Sequence, residues 1–348
     1  MQNKLAVPAL ASLAAACATP ALQQAPSYAN PVIDQNFPDP AIVRAEDGSY
    51  YLYATQGGQP IRNIQVARST NLADWTLLPD ALPVKPTWAS KTQDFWAPDV
   101  QRFGDTYYLY YSAKPDAALT DDKRGLCLAV ATSRSPGGPF ADSGRPLQCG
   151  ESFVNIDPFA YDDPETGKKL LYWGSGFGAI KVQELADDRI SFKPGTAPKD
   201  LVPVVKTEDL AEYQRLVEGV WVTRRDGYYY LFYSGDNCCG PNAHYAVMVA
   251  RSRSATGPFE WRARPDYLVV EANDRWLAPG HNAIVRDDAG TDWILYHGVD
   301  RLRVRDKPGD DVNSRRVLLL DRLEWIDGWP RVRNLSPTSG PQAGPVVR

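Results

Sequence analysis

Apolar and polar residues of this chain alternate in short runs, and one composite run recurs five times. Each copy has a short apolar strand, a polar turn with Asp or Gly, and an aromatic strand ending in a small residue. The copies are PDPAIVRAEDGSYYLYAT around Asp39, PDVQRFGDTYYLYYSA around Asp99, DPFAYDDPETGKKLLYWGS from Asp157, EGVWVTRRDGYYYLFYSG from Glu218 and HNAIVRDDAGTDWILYHG from His281. These five residues are spaced by 60, 58, 61 and 63 positions. A period of two marks half-buried strands, and Glu46-Asp47-Gly48, Gly104-Asp105, Thr166-Gly167 and Asp226-Gly227 supply the turns of antiparallel hairpins. A repeat of this length matches one four-stranded blade, so the pattern predicts an all-β, five-bladed β-propeller. Its innermost strands are expected near 40–44, 99–103, 157–161, 218–223 and 282–286.

The outer strands of the blades are legible in IQVARSTNLADWTLL, LCLAVATSRSPGGPF and YAVMVARSRSATGPFEW, where a strand runs into Arg-Ser and a turn leads to an aromatic. Sustained helical periodicity is absent. The propeller is expected over residues 31–334. Residues 18–30 read as a lead-in linker, and the Pro-, Gly- and Ser-rich stretch 335–348 reads as a loose tail.

Innermost strands surround the axis of a propeller, so one position in each blade projects into a common funnel. Here those positions carry Asp39, Asp99, Asp157, Glu218 and His281. A hydrophobic core has no use for four carboxyl groups. Like charges held close raise at least one pKa, which is what acid–base chemistry requires. A single Asp before a strand reads as a turn or capping residue; four acids at one period read as a site.

Composition narrows the partners. The net charge is −4 and the basic run Arg303, Arg305, Lys307 is diluted by Asp306, Asp310 and Asp311, so nucleic acid is excluded as a partner. The aromatic content is dominated by 18 Tyr and 10 Trp, rings on which sugar faces stack. Lys4 and the apolar stretch 5–16 form an export leader too short to span a bilayer, and no later segment reads as transmembrane. Ala14-Ala15-Ala16-Cys17 approximates a lipobox, so residues 1–17 are expected to be a signal of lipoprotein type; a plain secretory signal is the alternative. The other four cysteines, Cys127, Cys149, Cys238 and Cys239, allow a 127–149 bridge and a vicinal 238–239 bridge in an oxidising compartment, or else buried free thiols. Gly-x-Ser-x-Gly, His-Glu-x-x-His and phosphate-binding glycine loops are missing.

Landmarks in fixed order then carry a resemblance. They are Phe37-Pro38-Asp39-Pro40, Phe95-Trp96-Ala97-Pro98-Asp99, Ile156-Asp157-Pro158, Val217-Glu218-Gly219, Cys238-Cys239-Gly240, Thr256-Gly257-Pro258-Phe259, Pro279-Gly280-His281-Asn282 and Asp327-Gly328-Trp329-Pro330. Over nearly the whole mature chain the sequence resembles glycoside hydrolase family 43. The resemblance implies inverting hydrolysis with Asp39 as general base, Glu218 as general acid and Asp157 as the acid that orients Glu218 and tunes its pKa. Asp99 is expected at the funnel. Arg316 matches a basic residue near the sugar, with Arg315 competing for that register. Phe37, Trp96, Trp173, Cys238, Cys239 and His244 complete the expected substrate-binding set. His281 is expected either as an axial structural residue or as part of a water-mediated Ca2+ site at the propeller axis; the chemistry itself needs no cofactor. His297 reads as a packing residue at a strand end.

Within such a family the expected substrate is plant cell-wall arabinan or arabinoxylan, and a monomer is expected. α-L-Arabinofuranosidase is preferred, endo-1,5-α-L-arabinanase follows, and β-xylosidase is third because the stretch after Pro330 leaves no room for the extra sandwich of long xylosidase relatives. A non-catalytic carbohydrate-binding propeller is the alternative from another class.

Overall fold

Each repeat folds as an antiparallel meander, because alternating strands joined by Asp/Gly turns bury one face against the neighbouring repeat. The computed structural model describes residues 27–117, 125–174 and 176–348; the leader with Cys17 lies outside them. The described residues form five blades. Blade 1 is Ala41–Arg44, Tyr50–Ala54, Gln65–Ser69 and Thr76–Leu77. Blade 3 is Phe159–Asp162, Lys169–Trp173, Ile180–Glu184 and Lys199–Val202. Blade 4 is Val217–Arg225, Tyr228–Asn237, His244–Ser252 and Leu268–Val270. Blade 5 is Trp276–Arg286, Asp292–Asp300, Arg316–Ile326 and Trp329–Val332. Blade 2 runs Phe95–Phe103, Thr106–Ala113 and Cys127–Ser133. Its outer edge is split into Ala141–Asp142 and Gln148–Cys149, both paired with Cys127–Ser133, where a single fourth strand was expected. Cys127 and Cys149 face each other in that pairing and are bridged by a disulfide.

The five expected inner strands are present, three of them longer than the apolar pattern implied. The extra residues cross an irregularity in register, between Trp96 and Asp99, between Glu218 and Trp221, and between Leu277 and Asn282. Every blade has a left-handed residue at this point: Asp39 (φ 59°), Ala97 (47°), Asp157 (56°), Gly219 (67°) and His281 (48°), with Ala278 (49°) in addition in blade 5. Two residues further on, regular pairing runs in each blade: Ala41 with Tyr53, Asp99 with Tyr110, Phe159 with Tyr172, Trp221 with Phe232 and Ala283 with Leu295. The left-handed residue costs a non-glycine on the order of 1 kcal/mol, yet it turns the side chain and N–H out of the strand plane towards the axis and the next blade.

Those N–H groups and their neighbours stitch the blades into a ring. Ala97 N–H donates to Thr55 Oγ1 (2.8 Å), joining blade 2 to blade 1. Ala160 N–H donates to Asp99 Oδ2 (2.9 Å), joining 3 to 2. Gly219 N–H donates to Asp157 Oδ2 (2.8 Å), joining 4 to 3. His281 N–H donates to Ser234 Oγ (2.8 Å), joining 5 to 4. Asp39 N–H donates to His297 Nδ1 (3.2 Å) and closes the circle. Around the ring, aromatic second strands fill the spaces between blades. Tyr53, Phe95, Tyr111 and Phe140 share one buried cluster; Tyr110, Trp173, Leu171 and Leu185 share another. Each such side chain contributes about 1.5–3 kcal/mol by leaving water.

The two chain ends differ from their expectation. Ser27–Tyr28 pairs with Gln342–Ala343, so neither the last residues of the lead-in nor the tail is loose. Val346 N–H donates to Asp287 and Arg348 N–H to Asp288. Asn30 is buried and satisfies both backbone groups of Leu320 while also reaching Thr338. Pro and Gly content points to a loose end, but backbone groups of this stretch have partners on Ser27–Tyr28 and on blade 5.

Asn30→Ala leaves the buried N–H of Leu320 without its acceptor, which costs about 1–3 kcal/mol. A thermal melt should show Tm lower by a few degrees, with the circular dichroism spectrum of the folded state unchanged.

Candidate active site

Asp39, Asp157 and His281 reach the funnel floor from left-handed backbones, and Glu218, the residue before left-handed Gly219, stands on its wall. All four line one cavity of about 630 Å³, together with Trp96, Cys238, Cys239, Arg316, Asp236 and Phe153. Gly219 lies under the His281 ring: a Cβ there would sit 3.3 Å from His281 Cγ on a backbone with φ +67°. The small residue both accepts that conformation and gives the imidazole its space.

Asp39 is buried and heavily bonded. Arg316 Nη1 donates to its Oδ1 at 2.8 Å and Thr55 Oγ1 donates to its Oδ2 at 2.6 Å. Burial by itself pushes its pKa up; the Arg316 guanidinium, His297 and His281 outweigh that and hold Asp39 well below the usual carboxylate range. Asp157 goes the other way. Burial, then the charges of Glu218 and Asp39, push it well above the usual range, against the opposing Gly219 N–H bond and Arg316. Glu218 Oε1 accepts a hydrogen bond from Tyr245 Oη at 2.8 Å. One cavity thus holds a carboxylate kept ionised and a carboxyl pair in which a proton is retained. The expectation placed the raised pKa on Glu218; the group that the structure raises is Asp157, by burial first and then by the charge of Glu218.

His281 Nδ1 lies 3.6 Å from both Asp39 Oδ1 and Asp157 Oδ2, and burial lowers its pKa, so the ring is neutral near pH 7. His297 is fully buried beneath Asp39, with its pKa lowered to about 4, primarily by burial. A neutral ring accepting at Nδ1 carries its proton on Nε2. His297 therefore supports the site from beneath Asp39 as well as packing at a strand end. Among the described residues, no three His, Cys, Asp or Glu side chains converge as ligands of an ion.

The structure separates the expected binding residues. Trp96, Arg316, Cys238 and Cys239 reach the cavity, and the two cysteines are joined as a vicinal disulfide. Arg315 turns away, with no exposed side chain, and bonds Asp34 and Asp306. Asp99 does not reach the funnel. The true register of blade 2 is Ala97; Asp99 stands two residues later, is buried, accepts from Gln101 and Ala160, and has its pKa raised to about 7 by burial. Trp173 is not a sugar platform. It occupies the same strand position as Ala54, Tyr111, Tyr233 and Tyr296, all fully buried between blades. Phe37 is also wholly buried in the core. His244 stacks on Tyr213 (centroids 4.3 Å apart) and bonds Asp236 through Nδ1 at 2.8 Å, so it supports a wall residue without lining the cavity. Thr55, Tyr245 and Asp236 were missed. Counting back from the small residue that ends each aromatic strand would have found the register of Ala97 and flagged Thr55. Tyr245 is one position from the chosen His244, on the other face of the strand.

Comparison with known proteins agrees with this geometry. Residues 28–330 match the model for glycosyl hydrolases family 43. An extracellular endo-α-(1→5)-L-arabinanase of Bacillus subtilis is 29% identical, with 84% of this chain and 86% of that protein covered. An extracellular exo-α-(1→5)-L-arabinofuranosidase of Cellvibrio japonicus is 27% identical, covering 84% and 85%. Among solved structures, an exo-1,5-α-L-arabinanase from a bovine ruminal metagenomic library superposes with a TM-score of 0.68 at 26% identity, over 85% of this chain and 96% of that one.

Arg316→Gln removes the largest of the contributions that together hold Asp39 ionised against burial. The Asp39 carboxyl should then titrate at higher pH, by at least about one unit, in a carbon-detected NMR titration of the carboxyl groups.

Proposed function

The chain belongs to glycosyl hydrolases family 43, and from that premise we propose that it is an inverting α-L-arabinofuranosidase that releases arabinose from arabinan or arabinoxylan side chains. The single observation that carries this reading is the opposed protonation of two carboxyl sites in one cavity. Asp39, held ionised by Arg316, takes a proton from water as the water oxygen attacks the anomeric carbon. The glycosidic C–O bond breaks, and the leaving oxygen takes its proton from Glu218. Asp157, beside Glu218, keeps the pair protonated at working pH and is tied to its strand through Gly219 N–H. Such acid–base assistance is worth on the order of 10²–10⁴-fold. The proposed steps use protein groups and water alone.

The cavity, about 630 Å³, is of small-ligand size and suits the end of a chain or a single side branch. Trp96 and the Cys238–Cys239 bridge offer apolar faces to sugar rings. Endo-arabinanase action is the second reading, favoured by the relative from Bacillus subtilis that carries that name. Export is part of the proposal: both curated relatives are named extracellular. The Cys17 lipid anchor remains attached to it as an expectation.

Incubation with linear arabinan, branched arabinan and xylo-oligosaccharides, followed by product sizing, tests the substrate. Free arabinose as the sole early product is expected; an oligosaccharide ladder replaces this reading with the endo one, and xylose release alone contradicts both. The roles are tested by kinetics. Glu218→Ala should lose at least about 100-fold on arabinan and far less on a nitrophenyl arabinofuranoside, whose leaving group needs little protonation. The pH–rate profile should be a bell. Removing the Asp157 charge as Asn stabilises the anion of the remaining acid, so the upper limb should move to lower pH and turnover should fall. Equal losses on both substrates, or near-normal activity of Asp39→Ala, would refute the assignment.

A further inference from the structure

Tyr245 has an unusual position. It begins on the third strand of blade 4, paired with Asp236, yet its hydroxyl reaches Glu218 on the innermost strand. The side chain is 1% exposed and its pKa is pushed well above the ordinary phenol value, primarily by burial and then by the Glu218 charge. It therefore always keeps its proton and always donates. Its ring lies parallel to His297, with a 2° interplanar angle and centroids 5.8 Å apart. Gly280, the register partner of His297 on the neighbouring strand of blade 5, packs directly against the ring: a Cβ there would come within 2.0 Å of Tyr245 Cδ1. Glycine is thus required at 280 for the ring to stand there at all. His297, on the second strand of blade 5, accepts the Asp39 N–H.

We propose that Tyr245 is a positioning residue for the hydrolysis, fixing the rotamer and proton location of Glu218 and tying it, through the stacked His297, to Asp39 on blade 1. This rests on the roles given to Asp39 and Glu218 above. Because Tyr245 Oη donates to Oε1, that oxygen is an acceptor in both protonation states. The acidic proton of Glu218 is thereby confined to Oε2. A carboxylic acid free to rotate would present its proton in either direction; here only one direction is left. The stack adds a spacing constraint. One rigid unit of two rings touches the acid through a hydroxyl and the base through its backbone, so the two carboxyl groups keep a constant separation while the reaction proceeds. A constant gap is what an inverting site needs, since a water must fit beside the sugar. The hydrogen bond also stabilises the Glu218 anion, so its loss must raise the apparent pKa of the acid.

Tyr245→Phe keeps the ring and removes only the donor. On arabinan we expect kcat to fall at least about tenfold with KM little changed, the loss being smaller on a nitrophenyl arabinofuranoside. The upper limb of the pH–rate profile should rise by roughly one unit. Gly280→Ala, which keeps the Tyr245 hydroxyl but pushes the ring and so the hydroxyl away from Glu218, should reproduce the leaving-group dependence; thermal melts of both variants report folding. An unmoved upper limb in Tyr245→Phe, or equal losses on the two substrates, overturns the proposal while leaving the role of Glu218 intact. If Glu218→Ala itself slows both substrates equally, the failure lies in the acid assignment and not in its support.

Discussion

The ring of hydrogen bonds around the propeller axis is the constraint on which the rest of the structure depends. A propeller blade on its own exposes two apolar faces, and five of them need a fixed angular relation before their inner strands define a site. Here each junction is bridged near the axis by a backbone N–H of one blade and a side chain of the preceding one: Thr55, Asp99, Asp157, Ser234 and His297 are the acceptors. Each bond contributes about 1 kcal/mol net, but an orphaned donor at such depth costs about 1–3 kcal/mol. The left-handed residues at or beside these bonds also aim Asp39, Asp157 and His281 into the cavity. Fold closure and site assembly are therefore one geometric event.

Electrostatics follows from that placement. Buried carboxyl groups are costly unless paired, and this funnel resolves the cost in two ways. Asp39 takes a cation and a hydroxyl donor and stays ionised; Asp157 shares a small space with Glu218 and is driven towards its neutral form. For stability the signs are opposite. The depressed pKa of Asp39 contributes stability that is present above the ordinary carboxylate pKa and is lost as pH falls towards its folded value. The raised pKa of Asp157 contributes stability that is present below the ordinary carboxylate pKa and is lost as pH rises through its folded value. A molecule that carries both has a built-in compromise between stability at low and at high pH.

The five-fold repeat was legible because hairpin turns and aromatic strands are local, and local signals survive in sequence. Asp39, Asp157, Glu218 and Arg316 were legible through landmarks that resemble a family. Asp99 differs from its expectation because the repeat aligns on acids, whereas the backbone aligns Ala97 with Asp39; the dipeptide Pro-Asp occurs in both blades, as Pro38-Asp39 and Pro98-Asp99, and draws the alignment two residues too far. Trp173 and Phe37 were misread because an aromatic residue looks the same whether it faces a sugar or a neighbouring blade. Strand alternation settles Trp173, which shares its side with Tyr111 and Tyr233. His297 and Tyr245 carried no local signal, since their importance arises from contacts between strands far apart in the chain.

In the proposed reaction Asp39 works through a water and not as a nucleophile attached to the sugar. Its two oxygens are already engaged by Arg316 and Thr55, a state suited to accepting a proton from a water held beside it. The most direct measurement is proton NMR of the first product formed from an α-L-arabinofuranoside, recorded before mutarotation. The account predicts the β-anomer of arabinose, the inverted configuration. Initial appearance of the α-anomer would contradict it, because retention requires a covalent intermediate on one of these carboxyl groups.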